Sequence, residues 1–387
     1  LTAGRLGTLL SSYTYTLNTV GHRTSVREIN NRRHDYTYDA LDRLTSETIV
    51  AGAADSAPAG VIAYTHDAVG NRLSRTSSVP SIPSVALSHD SNDRLTTDTY
   101  DANGNTLEGG TAVSPVGATS DVYDFENRLI GRNGGAMKLL YDGDGHRVSE
   151  TVGTQTVSYL VDPLSPTGYA QVVEERVNGS LTRTYAYGHS LISQTQATLS
   201  PAWSTSYYGY DGHGSTAFLT DALGAVTDSY RYDAFGNLIA RTNVAATPTF
   251  NRYRYTGQQY DDDLGLYYLR ARYMNPDSGR FWNADEFEGF GGDPQSLHRY
   301  SYAGGNPVMG FDPSGNFTLF EVALTSTVVG TVAMIATPAV RPVVSTVVGY
   351  FGGKPDARYS LSSIGVYDES EELLGALGLS PEDFSKN

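Results

Sequence analysis

The stretch Tyr36-Thr-Tyr-Asp-Ala-Leu-Asp-Arg-Leu44 decides the fold. A Tyr-x-Tyr run places its side chains on alternate faces and is typical of a β-strand that is about to end. The Asp that follows accepts hydrogen bonds from nearby backbone amides and begins a turn. A Gly, Asn or Asp then takes the positive φ that closes the turn, and Arg-Leu begins the return strand. One copy of this pattern therefore predicts one β-hairpin.

The same pattern recurs along most of the chain, which is the mark of a repeat protein. The other copies are Tyr13-Thr-Tyr-Thr-Leu-Asn-Thr-Val-Gly-His-Arg23, Tyr64-Thr-His-Asp-Ala-Val-Gly-Asn-Arg-Leu73, Ser88-His-Asp-Ser-Asn-Asp-Arg-Leu95, Tyr100-Asp-Ala-Asn-Gly-Asn105, Tyr123-Asp-Phe-Glu-Asn-Arg-Leu129, Tyr141-Asp-Gly-Asp-Gly-His-Arg-Val148, Tyr210-Asp-Gly-His-Gly214 and Tyr232-Asp-Ala-Phe-Gly-Asn-Leu238. One hairpin cannot bury its apolar face alone, so neighbouring hairpins must stack to form a core. Residues 149–207 hold only weak copies, which predicts a less regular run of strands and loops there. The fold class predicted is all-β, built from stacked hairpins.

Composition agrees with a sheet-rich chain and removes some kinds of chemistry. The sequence has 28 Tyr and 41 Gly, and only 18% of its residues are charged. It has no Cys, so disulfides, thiolate catalysis and Cys-based metal sites are excluded. The formal net charge of −15 repels phosphate backbones, which disfavours nucleic acid as a partner of the repeat body.

From residue 251 onward the repeat is replaced by a different sequence pattern. It includes Arg254-Tyr-Thr-Gly-Gln-Gln-Tyr-Asp-Asp-Asp-Leu-Gly-Leu-Tyr-Tyr-Leu-Arg-Ala-Arg-Tyr273, Asn275-Pro-Asp-Ser-Gly-Arg-Phe-Trp282, His298-Arg-Tyr-Ser-Tyr-Ala-Gly-Gly-Asn-Pro307 and Phe311-Asp-Pro-Ser-Gly315. Asn-Pro, Gly-Gly-Asn-Pro and Asp-Pro-Ser-Gly mark turns, with Tyr-rich strands between them. Strand alternation through this region puts Tyr267, Leu269 and Ala271 on one face, and Tyr268, Arg270 and Arg272 on the other.

These motifs resemble the YD repeats and the repeat-associated core of the RHS family, which includes the bacterial insecticidal-toxin C components and the animal teneurins. The resemblance covers about residues 1–315. It implies hairpins that join edge to edge into a long sheet, which spirals into part of a large hollow shell. Three domains follow: a YD/RHS repeat sheet at residues 1–250, the RHS-associated core module at 251–315, and a variable tail at 316–387. The sequence starts inside a repeat, so it is interpreted as the C-terminal part of a longer, secreted or cell-surface bacterial protein.

The resemblance also implies a candidate site for self-cleavage. In many family members the core seals the shell and cuts the chain once, with machinery that resembles an aspartic protease. The matching positions are Arg272, Asp285 and Asp312, and the cut is expected near residue 316. Two nearby carboxylates can share a proton, so that one acts as base towards water and the other as acid.

Two departures from the family pattern stand against that interpretation. Asp285 is followed by Glu286, where the family has Pro, and Gly315 is followed by Asn316 where the family has Leu. In the alternative interpretation Asp312 caps a turn and Asp285 lies on an exposed loop. Arg272 then pairs with one of several acidic neighbours.

The tail after residue 315 has a different composition. Residues 322–340 contain no charged side chain and are close to the ~20 residues that a membrane helix needs. They are interpreted either as a membrane-active stretch or as an apolar segment enclosed by the shell. Residues 368–379 start with acidic residues and predict a short amphipathic helix.

Other clusters are given plainer interpretations, and no metal or cofactor is predicted. The run from Asp142 to His146 fits the repeat turn and lacks the later acidic ligand of a calcium loop. The residues 261–263, all Asp, are interpreted as a solvated charge run. Trp203 and Trp282 are the only two Trp residues, and exposed Trp side chains can stack on sugar rings.

Three functional hypotheses follow from the sequence. The first is an RHS/YD-repeat scaffold that encloses or presents its own C-terminal, polymorphic-toxin-like segment. The second is a cell-surface adhesion or carbohydrate-binding protein, with surface glycans or a membrane as its partner. The third is a self-cleaving aspartic-type autoprotease with a single turnover on its own chain.

Overall fold

In a computed structural model of the protein, the described residues are 8–53, 55–109, 117, 119–198, 202–243, 249–291, 294–316, 318–320, 331–333, 335–336 and 346–348. Across these residues the fold is all-β, and helical structure is confined to short 3-10 turns. Those turns are Asn133–Gly135, Tyr255–Gly257, Pro294–Leu297 and Ala303–Gly305. The predicted all-β fold of stacked hairpins is confirmed.

The first strands form an antiparallel sheet that follows chain order. Strand β1 is Thr8–Leu9, and the next seven strands make up the sheet. They are β2 (Tyr13–Leu17), β3 (Arg23–Glu28), β4 (Arg33–Tyr38), β5 (Leu44–Val50), β6 (Gly60–His66), β7 (Arg72–Ser77) and β8 (Val85–Ala86). Each strand pairs with its neighbour in sequence, as a series of hairpins requires.

A second antiparallel sheet contains the next fourteen described strands, again in chain order. They are β9 (Thr99–Tyr100), β10 (Thr106–Gly109), β11 (Thr119–Tyr123), β12 (Leu129–Arg132), β13 (Met137–Tyr141), β14 (Arg147–Val152), β15 (Gln155–Asp162), β16 (Gln171–Val177), β17 (Ser180–Tyr187), β18 (Leu191–Ala197), β19 (Trp203–Tyr210), β20 (Thr216–Thr220), β21 (Val226–Tyr232) and β22 (Leu238–Asn243). The two sheets are separated at the copy that begins with Ser88, where only an isolated bridge joins His89 to Leu95. That copy lacks the Tyr-x-Tyr strand ending, so it cannot continue the ladder as the other copies do.

The repeated Asp closes its turn as predicted. Asp39 Oδ1 accepts hydrogen bonds from the amides of Leu41 at 2.9 Å and Arg43 at 3.0 Å. Asp42 supplies the positive φ, at 63°. The same pair of amide bonds, two and four residues on, forms at Asp67, Asp90, Asp124, Asp142, Asp211, Asp221 and Asp233. The turn is therefore specified locally, by one side chain and one left-handed residue.

The prediction of irregular structure at residues 149–207 is wrong. Strands β14 to β19 cover this region as long, continuously paired neighbours. Their turns use other residues than the repeat does: Gly153 has φ 57°, and Asn178 and Gly179 have φ 49° and 83°. An Asn-Gly pair with positive φ at both residues is a favoured two-residue hairpin turn. Regular pairing here rests on turn chemistry that differs from the Tyr-Asp pattern.

The core module contains a smaller antiparallel sheet of four strands. Its strands are β23 (Gln259–Asp261), β24 (Leu266–Leu269), β25 (Arg272–Asn275) and β26 (Arg280–Phe281). The predicted alternation from Tyr267 to Arg272 fails, because the chain turns at Arg270, whose φ is 68°. Arg272 therefore starts a new strand and is buried.

Buried side chains join the core module to the repeats. One apolar cluster combines Leu129 and Leu139 of the repeats with Leu266 and Trp282 of the module. Another places Tyr253 among the tyrosines of the fourteen-stranded sheet, where its hydroxyl lies 2.9 Å from that of Tyr187. The core is thus shared between the repeat sheets and residues 251–315.

Only short pieces of the tail are described. Strand β27 (Gly310–Phe311) pairs with β28 (Leu319–Phe320), β29 (Thr331–Ala333) pairs with β31 (Thr346–Val348), and β30 (Ile335–Ala336) pairs with β1. Apart from 331–333 and 335–336, the apolar stretch 322–340 lies outside the described residues, and so does the helix predicted at 368–379. Within the described part of the chain, the fold has no helix with the length and apolarity needed to cross a membrane.

Candidate carboxylate site in the core module

The three predicted site residues come together, although they lie on separate segments. Arg272 begins β25, Asp285 follows the β26 strand, and Asp312 begins the Asp-Pro-Ser-Gly turn after β27. Arg272 Nη2 lies 2.6 Å from Asp285 Oδ2 and 3.7 Å from Asp312 Oδ2. One guanidinium nitrogen therefore lies beside both carboxylates.

The guanidinium of Arg272 is held on every side. Its Cζ lies 3.6 Å from the centre of the Phe281 ring, and Nη1 donates to the carbonyl of Arg299 at 3.1 Å. Nε donates to the carbonyl oxygen of Gly315. Arg272 therefore contacts both carboxylates and also the chain as it leaves the core module.

The two carboxyl groups have different surroundings. Asp312 Oδ1 accepts hydrogen bonds from the amides of Ser314 at 3.1 Å and Gly315 at 2.8 Å, as a turn-capping Asp does. Asp312 Oδ2 is buried and has no hydrogen-bond donor among the described residues. The side chain of Asp285 is 15% exposed and that of Asp312 is 1% exposed. The capping role predicted by the plainer interpretation is thus real, and it leaves one oxygen of Asp312 unused.

Burial raises the pKa of Asp312 above its ordinary value, and the positive charge of Arg272 opposes that rise. Burial also lowers the pKa of Arg272, which the neighbouring Asp285 and Asp312 counteract. A carboxyl group with a raised pKa beside a second carboxyl group held in an ion pair is the arrangement that separates acid from base.

Hydrogen bonds to backbone carbonyl groups hold residues 313–315, where the chain leaves the core module, against the hairpin that carries Arg272. The amide of Ala271 donates to the carbonyl of Ser314 at 3.1 Å, and Arg270 Nη1 donates to the carbonyl of Pro313. Gly315 has φ 76°, and a Cβ there would lie 2.5 Å from the carbonyl oxygen of Leu269. Only glycine allows this approach, so the Asp-Pro-Ser-Gly turn is fitted to the hairpin.

Sequence reasoning missed residues that position Asp285 and enclose Asp312. The backbone of Asp285 is bound twice by Arg299: the Asp285 amide donates to the Arg299 carbonyl at 2.8 Å, and Arg299 Nε donates to the Asp285 carbonyl at 2.6 Å. Tyr302 is fully buried, and its pKa is raised by burial and by the charge of Asp312. Both residues lie in the quoted His298–Pro307 motif, but nothing in its spacing points to Asp285.

The structure corrects two interpretations of other clusters. Asp261 is not a solvated residue: it is completely buried, and its Oδ2 accepts from Arg147 Nη1 at 2.8 Å. Trp282 is also buried and donates from Nε1 to Asp121 Oδ2 at 2.7 Å, so it is not available for stacking on a sugar. Trp203 remains 47% exposed.

Among the residues that the structure describes, two groups of ligand-type side chains are compact enough to be considered for a metal ion. They are Asp142, Asp144 and His146, and Glu150, Asp261 and Asp263, with ligand atoms within 4.8 Å of one another in each group. In the first group, Asp142 Oδ1 is already bound to the two amides of its turn. In the second, Arg147 and Arg252 supply the positive charge, with Arg252 Nη1 3.0 Å from Glu150 Oε2. Turn capping explains the first group and ion pairing with arginine explains the second, so neither group needs a metal ion.

Comparison with known proteins finds bacterial nucleases and a toxin complex. The tRNA nuclease WapA of Bacillus subtilis (strain 168) is 32% identical over 296 residues, which cover 74% of this chain and 12% of that protein. The tRNA3(Ser)-specific nuclease WapA of Bacillus spizizenii is 32% identical over 298 residues, with the same shares. The crystal structure of TcdB2-TccC3 has a TM-score of 0.62 at 21% identity and covers 79% of this chain and 17% of that one.

These likenesses define the fold and show how much of each relative the chain spans. The antiparallel all-β fold is that of the RHS shell of the Tc toxin component. The chain spans 12% of the length of the two WapA relatives. No protein-family model matches the chain.

Proposed function

We propose that residues 1–315 are a scaffold of the RHS type, part of a shell that encloses or presents residues 316–387. The main observation behind this proposal is that the core module binds the Asp312–Gly315 turn, which is the last described turn before the tail. Ala271, Arg270 and Arg272 all donate hydrogen bonds to its carbonyl groups. The proposal divides the chain as the sequence predicts, into repeats at 1–250, core module at 251–315 and tail at 316–387. Its relatives are nucleases by name, which supports a toxin-like segment as cargo and a secreted or cell-surface bacterial protein as the carrier.

Enclosure predicts that the tail is protected from a protease. Trypsin can cut the tail after Arg358 and Lys386, whereas Arg341 and Lys354 are each followed by Pro and resist it. We expect cleavage after Arg358 and Lys386 to be at least ~10-fold slower in the folded chain than in a free peptide of residues 316–387, because cutting requires the enclosed segment to become accessible. The Asp312→Asn variant serves as the substrate, so that the tail stays joined to the scaffold. Equal rates in chain and peptide would contradict enclosure, and protection that appears only with liposomes would assign the tail to a membrane.

A second proposal is a single self-cleavage at the Gly315–Asn316 bond. Arg272 Nε donates to the carbonyl oxygen of Gly315, which polarises the carbonyl of that peptide bond. Asp285, paired with Arg272 at 2.6 Å, takes a proton from a water molecule, whose oxygen attacks this carbonyl carbon. Asp312 gives its proton to the amide nitrogen as the C–N bond breaks. The products are a new carboxyl group on Gly315 and a new amino group on Asn316.

The intact mass of the purified chain tests self-cleavage. We expect the parent to give a fragment that ends at Gly315, and the Asp312→Asn variant to stay uncut, because the amide keeps the turn acceptor but cannot donate a proton as an acid. The matched control is Asp221→Asn, since Asp221 caps an equivalent exposed turn with amides at 2.9 Å from Leu223 and Ala225. An uncut parent, or a cut that survives in a folded Asp312→Asn variant, would exclude this mechanism.

A further inference from the structure

A small cavity lies where three parts of the fold meet. Its volume is about 20 Å³, which is space for one or two atoms of the size of water. The β6–β7 turn, the turn after β21 and the core module all contribute to its wall. Six of the lining residues carry the argument: His66, Arg72, His89, Phe235, Arg280 and His298.

The wall of this cavity is positively charged. Arg72 and Arg280 are both 7% exposed, and three imidazoles line the same space. Among the described residues that line it there is no Asp or Glu. The acidic groups whose charges act on Arg72 are Asp233 and Asp277. Asp277 is already paired with Arg75 at 3.0 Å, and the carboxylate of Asp233 accepts hydrogen bonds within its own turn. Two guanidinium groups therefore face a space to which no carboxylate is supplied.

Hydrogen-bond donors at the cavity lack acceptors. Arg72 Nε and Nη1 are buried and have no hydrogen-bond partner among the described residues, and the same is true of His89 Nδ1. Only Nη2 of Arg72 is used, on the carbonyl of Asp277. The Cζ atom of Arg72 lies 4.8 Å from the centre of the Phe235 ring and 5.5 Å from that of the Tyr64 ring. Buried guanidinium donors are almost always paired.

We propose that this cavity binds a monatomic anion such as chloride. A single anion would accept hydrogen bonds from several converging donors and would neutralise charge that burial makes costly. The small volume favours a single-atom anion over a larger one, and the two guanidinium groups disfavour a cation. A water molecule would fit but would leave the charge uncompensated. The burial and the neighbouring Arg75 that lower the pKa of Arg72 to about 10 agree with an uncompensated cation at this place.

The anion would act as a clamp between the repeats and the core module. Arg72 belongs to β7, and Arg280 belongs to β26 of the module. Gly279, beside Arg280, has φ 68°, and a Cβ there would lie 2.5 Å from Arg72 Nη1. The close approach of the two segments therefore depends on glycine and on whatever balances the two charges.

Bromide is the probe that tests the proposal. A crystal of the full chain grown with bromide should show an anomalous peak between Arg72 and Arg280. In solution, chloride raised from about 1 to about 100 mM, with gluconate keeping the ionic strength constant, should raise the thermal midpoint by about 2–4 °C and then saturate. The Arg72→Gln variant should lose this dependence, whereas the control Arg128→Gln, outside the cavity, should keep it.

Each outcome decides the matter. A bromide peak together with a saturable shift in the parent supports the site, even if Arg72→Gln does not fold. A peak without a solution shift means an adventitious ion only, and no peak with equal midpoints in chloride and gluconate means a water molecule; either result overturns the proposal. The scaffold function and the self-cleavage stand or fall separately, because their experiments do not depend on halide.

Discussion

Replacing Arg147 by Met is expected to lower the free energy of unfolding by about 3–5 kcal/mol, because it leaves buried carboxylates without their counter-charge. The side chain of Arg147 is 1% exposed. Its Nη1 donates to Asp261 Oδ2 at 2.8 Å and its Nη2 to Gln259 Oε1 at 3.0 Å. Arg147 is on β14, and both partners are on β23, so the change also removes two hydrogen bonds between the repeats and the core module.

The direction follows from the electrostatics of Asp261. Burial raises the pKa of Asp261, the charge of Glu150 adds to the rise, and Arg147 opposes it. Without the guanidinium, the carboxyl group must take up a proton or be exposed to water, and either costs stability. Met keeps most of the volume of the Arg side chain, so the loss measures charge and hydrogen bonding more than packing.

Urea unfolding of the parent and three variants checks this prediction. The matched control is Arg33→Met, because Arg33 pairs with Asp35 at 2.8 Å while the two side chains remain 38% and 36% exposed. An exposed pair contributes about 0.5 kcal/mol or less. The double variant Arg147→Met with Asp261→Asn should recover part of the loss, since it removes the stranded charge as well. Equal losses in the Arg147 and Arg33 variants would show that the buried pair has no special role.

The parts of this fold that the sequence predicts are those that depend on neighbouring residues. The Asp39 turn needs only its own carboxylate, two nearby amides and a left-handed residue, so the sequence motif is enough to predict it. The Asp312 turn is predictable for the same reason. The prediction for residues 149–207 is wrong because Gly153 and Asn178-Gly179 close hairpins equally well without the Tyr-Asp turn motif.

The parts of the fold and of the site that the sequence does not predict depend on contacts between segments that are far apart in the chain. Asp261 looks like a surface charge in a run of three Asp, and only the arrival of Arg147 from another strand explains its burial. Arg272 was placed on the wrong side of an alternation, because nothing local shows that Arg270 takes a positive φ. The pairing of Arg272 with Asp285 and Asp312 was suggested by family resemblance, and the cavity beside Arg72 had no signal in the sequence.

Acid is expected to destabilise the chain through His298. The amide of Tyr300 donates to His298 Nδ1 at 3.2 Å, so the proton of the neutral ring is on Nε2, which donates to Asn71 Oδ1 at 2.8 Å. Protonation of Nδ1 would break the first of these bonds. Burial lowers the pKa of His298 to about 4, with Arg280 adding to the shift and Asp93 and Asp67 opposing it.

The sign of the effect follows from proton uptake. With a pKa of about 4 in the folded chain and about 6.5 in the unfolded chain, the unfolded state binds the proton first as the pH falls. Stability from this group is complete above pH 6.5 and is lost progressively down to pH 4. Between pH 7 and pH 5 the loss is about 1–2 kcal/mol for His298. Burial also lowers the pKa of His66 and His89 to about 4, so both act in the same direction.

Asp233 changes the stability of the chain in the opposite direction as the pH falls. The contribution of His298 must therefore be measured as a difference between two proteins. Burial raises the pKa of Asp233 to about 6, so this carboxyl group adds stability as the pH falls. The total pH dependence therefore mixes both signs, whereas the difference between parent and His298→Gln isolates the imidazole. We expect this difference in unfolding free energy, measured in gluconate buffer, to shrink by about 1–2 kcal/mol from pH 7 to pH 5. A constant difference for His298→Gln would mean that the buried ring does not titrate with folding.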